Sequence, residues 1–396
     1  MRRRILALGP ALLVLAGCTS ESVEPESEST TSPEVRPFTG PVTPGEGQLR
    51  VLAWPGYAED GSFDPAVDWV TPFEEKSGCE VDLRLVASSD EARSLLESGA
   101  WDVASVSSDI TQTLMAEGVI QPLTLSLIPN YAGVIPAVKS PPWISRAGRT
   151  FGVPHSRGVH ILLRGGEPSL TDSWATIFGG DAVRASRVGL YDAPISLADL
   201  AVHLMSEQPE LGITNPYALD EVQFDAVVAR AAEIAPDVAL WWRTPTELIE
   251  AFESDRVDAS VGWQVAGQVL RQGDAPVRES RPPEGAVGWS DSWVIAREAA
   301  HVRCAYQWLD WILSPEVNAQ ASEWSGAAPV TEDACSLTTS PTHCDDYRAF
   351  DADFWMDVHY WDTPTLECRD GRTDVDCVPY EEWGRAWIEL RAESVP

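Results

Sequence analysis

WDVASVSSDITQTLMAEG, residues 101–118, changes character halfway. WDVASVSS reads as a short strand, and the residues after it read as a helix running through Met115 to Gly118, a residue that commonly ends helices. The same alternation lies upstream. QLRVLAW (48–54) is a short apolar strand, and PAVDWVTPFEEKSG is a helix closed by Gly78. CEVDLRLV alternates polar and apolar residues, as a strand with two unlike faces does. Ser88 with Glu91 forms a capping box for EARSLLES, which Gly99 ends. Strands that alternate with helices predict βαβ units and a mainly parallel sheet. In such sheets ligands sit beyond the carboxyl ends of strands. Trp54, Tyr57, Ser107 and Asp109 all fall just past one.

A second block repeats the pattern from about 156 to 282. RVGLYD (187–192) is a strand ending in the carboxylate of Asp192. SLADLAVHLMSEQ and VQFDAVVARAAEIA are helices. Thr244-Pro245-Thr246-Glu247 combines a capping box with proline at the first helical position, a strong start for ELIEAFESD. ASVGWQ (259–264) is a strand carrying Trp263. WVIARE, the helix VRCAYQWLDWILS and a further helix through Trp324 come next.

The chain begins MRRRILALGPALLVLAGCTS. Three arginines precede an apolar run, Ile5 to Ala16, that is too short to span a bilayer and suits an export signal. Leu15-Ala16-Gly17-Cys18 resembles the bacterial lipobox, which predicts a signal peptide over 1–17 and a lipid on Cys18 that anchors the chain to the membrane. Residues 18–47 are rich in Ser, Thr, Pro and Glu and read as a disordered linker with about 30 Å of reach.

A net charge of −33 argues against nucleic acid and acidic lipid head groups as partners, and the mature chain, without those arginines, is more acidic still. With Cys18 set aside, six cysteines remain, an even number that in an exported protein predicts disulfides. Cys335/Cys344 and Cys368/Cys377 share one short spacing and pair locally; Cys79 and Cys304 pair by elimination. No CxxC pattern points to zinc, and neither metal nor cofactor is expected.

EGAVGWSDSW (284–293) sets one acid, Asp291, between Trp289 and Trp293. A surface turn is the bland reading. A cage for a cation is the sharper one, with aromatic faces for its apolar part and a carboxylate for its charge. The chain has 17 tryptophans, so most of them must be structural.

Six stretches, in order, carry a resemblance: LAWPGYAED, WDVASVSSDITQTLMAEGVIQPL, TFGVPHSRGVHILL, VDASVGWQVAGQ, EGAVGWSDSWVIA and AYQWLDWILSPEVNAQASEW. Together they resemble the spermidine/putrescine-type extracellular solute-binding proteins of bacterial ABC importers, from about residue 48 to 330. The resemblance implies a two-lobe α/β fold of the periplasmic-binding-protein kind, each lobe a mainly parallel sheet flanked by helices, with a ligand cleft at the hinge. It puts lobe one at 48–154 plus 284–328 and lobe two at 155–283, with a disulfide-containing C-terminal segment, 329–396, packing on lobe two. Its aromatic box falls on Trp54, Tyr57, Trp263 and Trp289, its carboxylates on Asp291 and Asp192, and its serine on Ser107. Trp293 would face the core.

Three departures alter the far end of that site. Ile195 stands where the family has a second acid, Asp109 where it has a tyrosine, and Gly326-Ala327-Ala328 where it has a later aromatic. Asp109 would supply a missing charge, or the ligand is a shorter cation. His155 and His160 read as hinge or surface residues rather than metal ligands.

The implied function is capture of a polyamine-like cation on the outer face of the cell membrane and delivery to a permease and its ATPase. A receptor for a sugar or another polar solute is the alternative, since a Trp-rich cleft also stacks sugars. A secreted glycoside hydrolase using Asp109 and Asp291 is a third reading. No G-x-S-x-G, HExxH or P-loop stretch supports catalysis.

Overall fold

The computed structural model describes residues 35–165, 171–180, 186–273 and 277–393; the expected signal segment and Cys18 lie outside them. Among the described residues there are twelve strands: β1 (Gln48–Ala53), β2 (Glu80–Leu85), β3 (Val103–Ser107), β4 (Ser145–Arg146), β5 (Arg149–Thr150), β6 (Gly152–Arg164), β7 (Val188–Tyr191), β8 (Val238–Trp242), β9 (Ala259–Trp263), β10 (Arg278–Ser280), β11 (Ala286–Ile295) and β12 (Val358–Tyr360). The main sheet runs β2-β1-β3-β11-β6-β9-β7-β8, with β10 on β6 and β12 on β11. β1 pairs parallel with β2 and β3, and β7 parallel with β8 and β9. These are the two βαβ halves that the alternation predicts. β6 and β11 are antiparallel to each other, β11 is antiparallel to β3 and β6 to β9, and the two strands join the halves; β12 runs parallel to β11.

The first half is covered on both faces, as parallel sheets built from βαβ units are. Leu49, Val51 and Ala53 enter one core with Trp293 and Trp308, while Leu52, Ala104 and Val106 enter another with Val294. That split follows the two-residue period of a strand. A third core, containing Ile161, Leu190, Trp242 and Val261, belongs to the second half. The result is a two-lobe α/β fold, with the cleft where β6 and β11 cross between the lobes.

The crossing is irregular. Asp291 pairs with Ser156 and Ser292 with Pro154, so His155 is an extra residue on β6. Pro154 has no N–H to offer the ladder, and a bulge is where a sheet tolerates it. Asn318, fully buried, ties this point to the chain that returns. Its amide donates to the His155 carbonyl (3.1 Å), and its oxygen accepts the N–H groups of Val330 (3.0 Å) and Thr331 (3.2 Å). His155 is buried against Tyr57 and Trp293, and burial pushes its pKa down to about 3, so it stays neutral. Both it and His160 are buried residues of β6, not surface groups.

Residues 35–47 depart from the linker expectation. Phe38 packs on Tyr306, and the Phe38 carbonyl accepts from Thr124 Oγ1 (2.5 Å). The Glu46 carboxylate caps the helix Val302–Ile312 by accepting from the N–H groups of Arg303 (3.0 Å) and Cys304 (2.9 Å). Composition reported the polarity of the stretch but not this long-range cap. Disulfides join Cys79 to Cys304, Cys335 to Cys344 and Cys368 to Cys377. The C-terminal segment adds Trp355, Trp383 and Trp387 to the second-lobe core, and it also reaches the first lobe through β12 and the residues after it.

Candidate functional site

Three strands bring the centre of the site together. β11 lies between β3 and β6, so Asp291 stands opposite Ser107 on one side and Ser156 on the other. The turn after β1 swings Tyr57 in: its N–H bonds back to the Trp54 carbonyl (3.1 Å), and Gly56 takes a φ of 87° that a side chain would resist. Ser107 Oγ then donates to Asp291 Oδ1 (2.5 Å), and the Tyr57 hydroxyl donates to Oδ2 (2.5 Å) while lying 3.1 Å from Ser156 Oγ. Both carboxylate oxygens are thus fixed by hydroxyls. Burial pushes Asp291 up to about 6, and the two hydroxyl bonds pull the other way. Burial, then the adjacent carboxylate, raises the Tyr57 phenol well above its ordinary range, so it remains a donor.

The two tryptophans flanking the acid have different fates. Trp293 is fully buried; its indole N–H donates to His155 Nδ1 (3.1 Å), and its ring meets Trp308 edge-on. Trp289 pairs with Gly158 on β6 and lies over it, so close that a Cβ at 158 would fall 2.3 Å from the indole. It is only partly buried, which leaves part of the ring for the cleft. Trp54 is likewise partly buried beside the first-lobe cores. Trp263 ends β9 opposite His160, and its ring rests on Tyr191 and Trp242, both 5.3 Å away.

Asp109 occupies the first turn of the helix Ser108–Glu117, directly after Ser107. Its carboxylate accepts from the Ile110 N–H (2.9 Å) and the Ser89 hydroxyl. A helix start favours a carboxylate, yet burial dominates and raises Asp109 to about 7, with the Asp291 charge adding to the rise. Burial raises the phenols of Tyr191, Tyr217 and Tyr380, and the charge of Asp109 adds to each rise.

Asp192, expected to present a free carboxylate, is already engaged. It accepts from Arg391 Nε (2.9 Å), Arg243 Nε (3.2 Å) and the Trp387 indole N–H (3.1 Å). The helix Tyr380–Glu393 supplies two of those donors, nearly two hundred residues away in sequence. Tyr57, Ser107 and Asp291 therefore form one contact group, with Asp109 beside it and Trp289 on the same strand. Asp192 bonds instead to Arg243, Arg391 and Trp387.

Sequence reasoning missed Ser156, Tyr191 and the buried pair His160–Asp199 (2.9 Å). It also missed Trp361, whose ring meets His160 edge-on at 5.7 Å. The polar run PHSR inside an otherwise apolar strand was the available signal for Ser156; nothing local marks Trp361. Among the described residues no group of three or more His, Cys, Asp or Glu is arranged to hold a metal.

Tyr57, Ser107, Asp109 and Asp291 thus bring two buried carboxylates and the hydroxyls that hold one of them to the middle of a two-lobe α/β fold. The sequence matches the family model of bacterial extracellular solute-binding proteins over residues 68–343, and the chain belongs to that family. It is a binding protein, not an enzyme. A putrescine/agmatine-binding protein of Pseudomonas aeruginosa is 24% identical over 295 residues, 65% of this chain and 75% of that one. A spermidine/putrescine-binding periplasmic protein of Escherichia coli K12 is 22% identical over 232 residues, 58% of this chain and 63% of that one. Among solved structures, a putative spermidine/putrescine ABC transporter protein from Listeria monocytogenes superposes with a TM-score of 0.70 at 18% identity. The match covers 88% of this chain and 99% of that one.

Proposed function

We propose that the protein captures a polyamine-like organic cation outside the cell and hands it to the permease and ATPase of an importer. The observation that carries this is Asp291: a buried carboxylate whose hydrogen-bond partners are hydroxyls of Ser107 and Tyr57, with Trp289 on the same strand. Burying a carboxylate without a positive partner is costly, and a ligand ammonium removes that cost. Tryptophan faces add about 0.5–2 kcal/mol for a cation seated over them. The names of the relatives support the same class of ligand. In this reading lobe one comprises 48–154 with 284–328, lobe two comprises 155–283, and Trp54, Tyr57, Ser107, Asp109, Trp263, Trp289 and Asp291 line the cleft. The lipid on Cys18 keeps the receptor at the outer membrane face, close to its permease.

A thermal-shift screen against putrescine, spermidine, amino acids and sugars tests the ligand class. A cation held at about a hundred times its Kd should stabilise the fold by about 2.7 kcal/mol, and its affinity should fall as salt rises. Stabilisation by sugars alone, insensitive to salt, would replace the cation reading with the sugar one. For the anchor, Cys18→Ala should move the protein out of the membrane fraction or leave it unprocessed. Normal processing with full membrane retention would overturn it.

A further inference from the structure

The segment Asp357–Thr363 enters the cleft from a remote part of the chain. β12 adds to the start of β11, with Val358 opposite Ala286 and Tyr360 opposite Gly288. The Trp361 N–H then donates to the Gly288 carbonyl (2.8 Å), one residue before Trp289. From there the segment touches both lobes. The Tyr360 ring stacks on Trp143 of the first lobe at 4.2 Å, and the Trp361 ring meets His160 on the second-lobe end of β6. Asp362 is buried, held by Arg369 and the Gln112 side chain. The Thr363 N–H donates to the backbone carbonyl of Asp109 (3.0 Å). The segment thus runs directly beside Trp289 and Asp109, bonded to the backbone next to the first and of the second.

Charge gives a second, independent constraint. Asp362 is paired with Arg369, Asp192 with Arg391 and Arg243, and Asp199 with His160. Asp291 and Asp109 instead accept from hydroxyls and one backbone N–H. Two carboxylates therefore await compensation, and a ligand with two positive charges supplies it. A third ammonium would be buried without a partner, which is unfavourable.

We propose that Trp361 closes the far end of the cleft, so that the site takes a short organic dication between Asp291 and Asp109 and rejects longer triamines. The proposal rests on the cation reading above and specifies the ligand's length and charge. It also gives the C-terminal segment a part in selectivity.

The test is titration calorimetry of the full mature chain with putrescine, spermidine and a series of α,ω-diamines from three to six carbons. Wild type should bind putrescine at least tenfold tighter than spermidine and lose affinity beyond four or five carbons. Trp361→Ala should shrink the putrescine preference at least fivefold, and Trp361→Leu should shrink it less. The readout is a ratio between ligands, so a reduced folded fraction cancels from it. Equal or tighter binding of spermidine by wild type would overturn the proposal, as would an unchanged ratio in variants that still bind. If neither variant folds, the diamine series on wild type decides, and affinity that keeps rising to six carbons would refute the short site. Wild type that binds no amine at all would overturn the cation reading and this proposal with it, an outcome separate from a wrong length preference.

Discussion

Asp291 shows how much one position asks of its neighbours. Its side chain is buried between two lobes, and burial outweighs the hydroxyl bonds from Ser107 and Tyr57. Asp291→Asn keeps the shape and removes the charge, so at pH 7 and above cation affinity should fall at least tenfold while the melting temperature of the free protein holds or rises, because a costly buried charge is gone; calorimetry and thermal denaturation read the two effects. Protonation should imitate the substitution. Asp109 is raised to about 7 and Asp291 to about 6, and a cation binds the ionised forms. Affinity should be full above pH 7 and fall in two stages as the pH drops through 7 and then 6, as a pH series of titrations would show. The free protein should behave in the opposite sense. Carboxyls whose folded pKa lies above the unfolded value near 3.8 stabilise the fold most below that value, and the contribution is lost as the pH rises through 6 to 7. Ligand should therefore stabilise most where the free protein is least helped by protonation. These two acids were legible as candidates because each follows or interrupts a strand. That Asp192 pairs with Arg391 and Trp387 was not legible, since no local pattern ties them to it.

β6 and β11 are the elements on which the cleft depends. Gly158 accommodates Trp289, and Gly158→Ala would force the indole aside because a Cβ would sit 2.3 Å from it. Ligand affinity should drop several-fold with a loss of stability of about 1–3 kcal/mol, the range for overpacking a close contact. Unchanged binding would mean that Trp289 takes no part in the site. Asn318 makes four hydrogen bonds around the bulge, counting the Thr331 hydroxyl. Asn318→Ala leaves buried backbone groups unpaired and should cost about 2–4 kcal/mol in denaturant unfolding, since each unsatisfied group costs about 1–3. The helices and parallel strands were readable from period, caps and glycines; Gly78 and Gly118, for example, take the left-handed conformation that ends their helices. The crossing strands were less so. PHSR and GWSDS are polar runs within buried strands; their backbones pair with each other, while Asp291 and Arg157 find side-chain partners on other elements, Ser107 and Tyr57 for the first and Tyr360 and the Ala349 carbonyl for the second.

Across the whole molecule, links between distant residues hold the lobes and the C-terminal segment together. The Cys79–Cys304 bond closes a loop of 225 residues, whereas each of the other two spans nine. In the chain-entropy account, stabilisation grows with loop length, reaching about 4–5 kcal/mol for long loops against about 2–3 for short ones. Cys79→Ser/Cys304→Ser should therefore lower the unfolding free energy more than removing the Cys368–Cys377 pair. The reverse order, measured under oxidising conditions, would show that the small C-terminal loops matter more than the closure of lobe one. The sequence by itself determined the α/β class, the order of the βαβ units and the local disulfide spacings. Those properties are written in short-range periodicity and residue type. Only the tertiary structure decided that Glu46 caps a helix more than 250 residues away, that Asp192 is paired with the C-terminal helix, and that the Trp361 N–H bonds to β11 one residue before Trp289. Each is a choice of partner between segments far apart in the chain. Such choices depend on which surfaces the packed lobes leave adjacent and which buried charges still lack a counter-charge, and neither is a property of any short stretch of sequence.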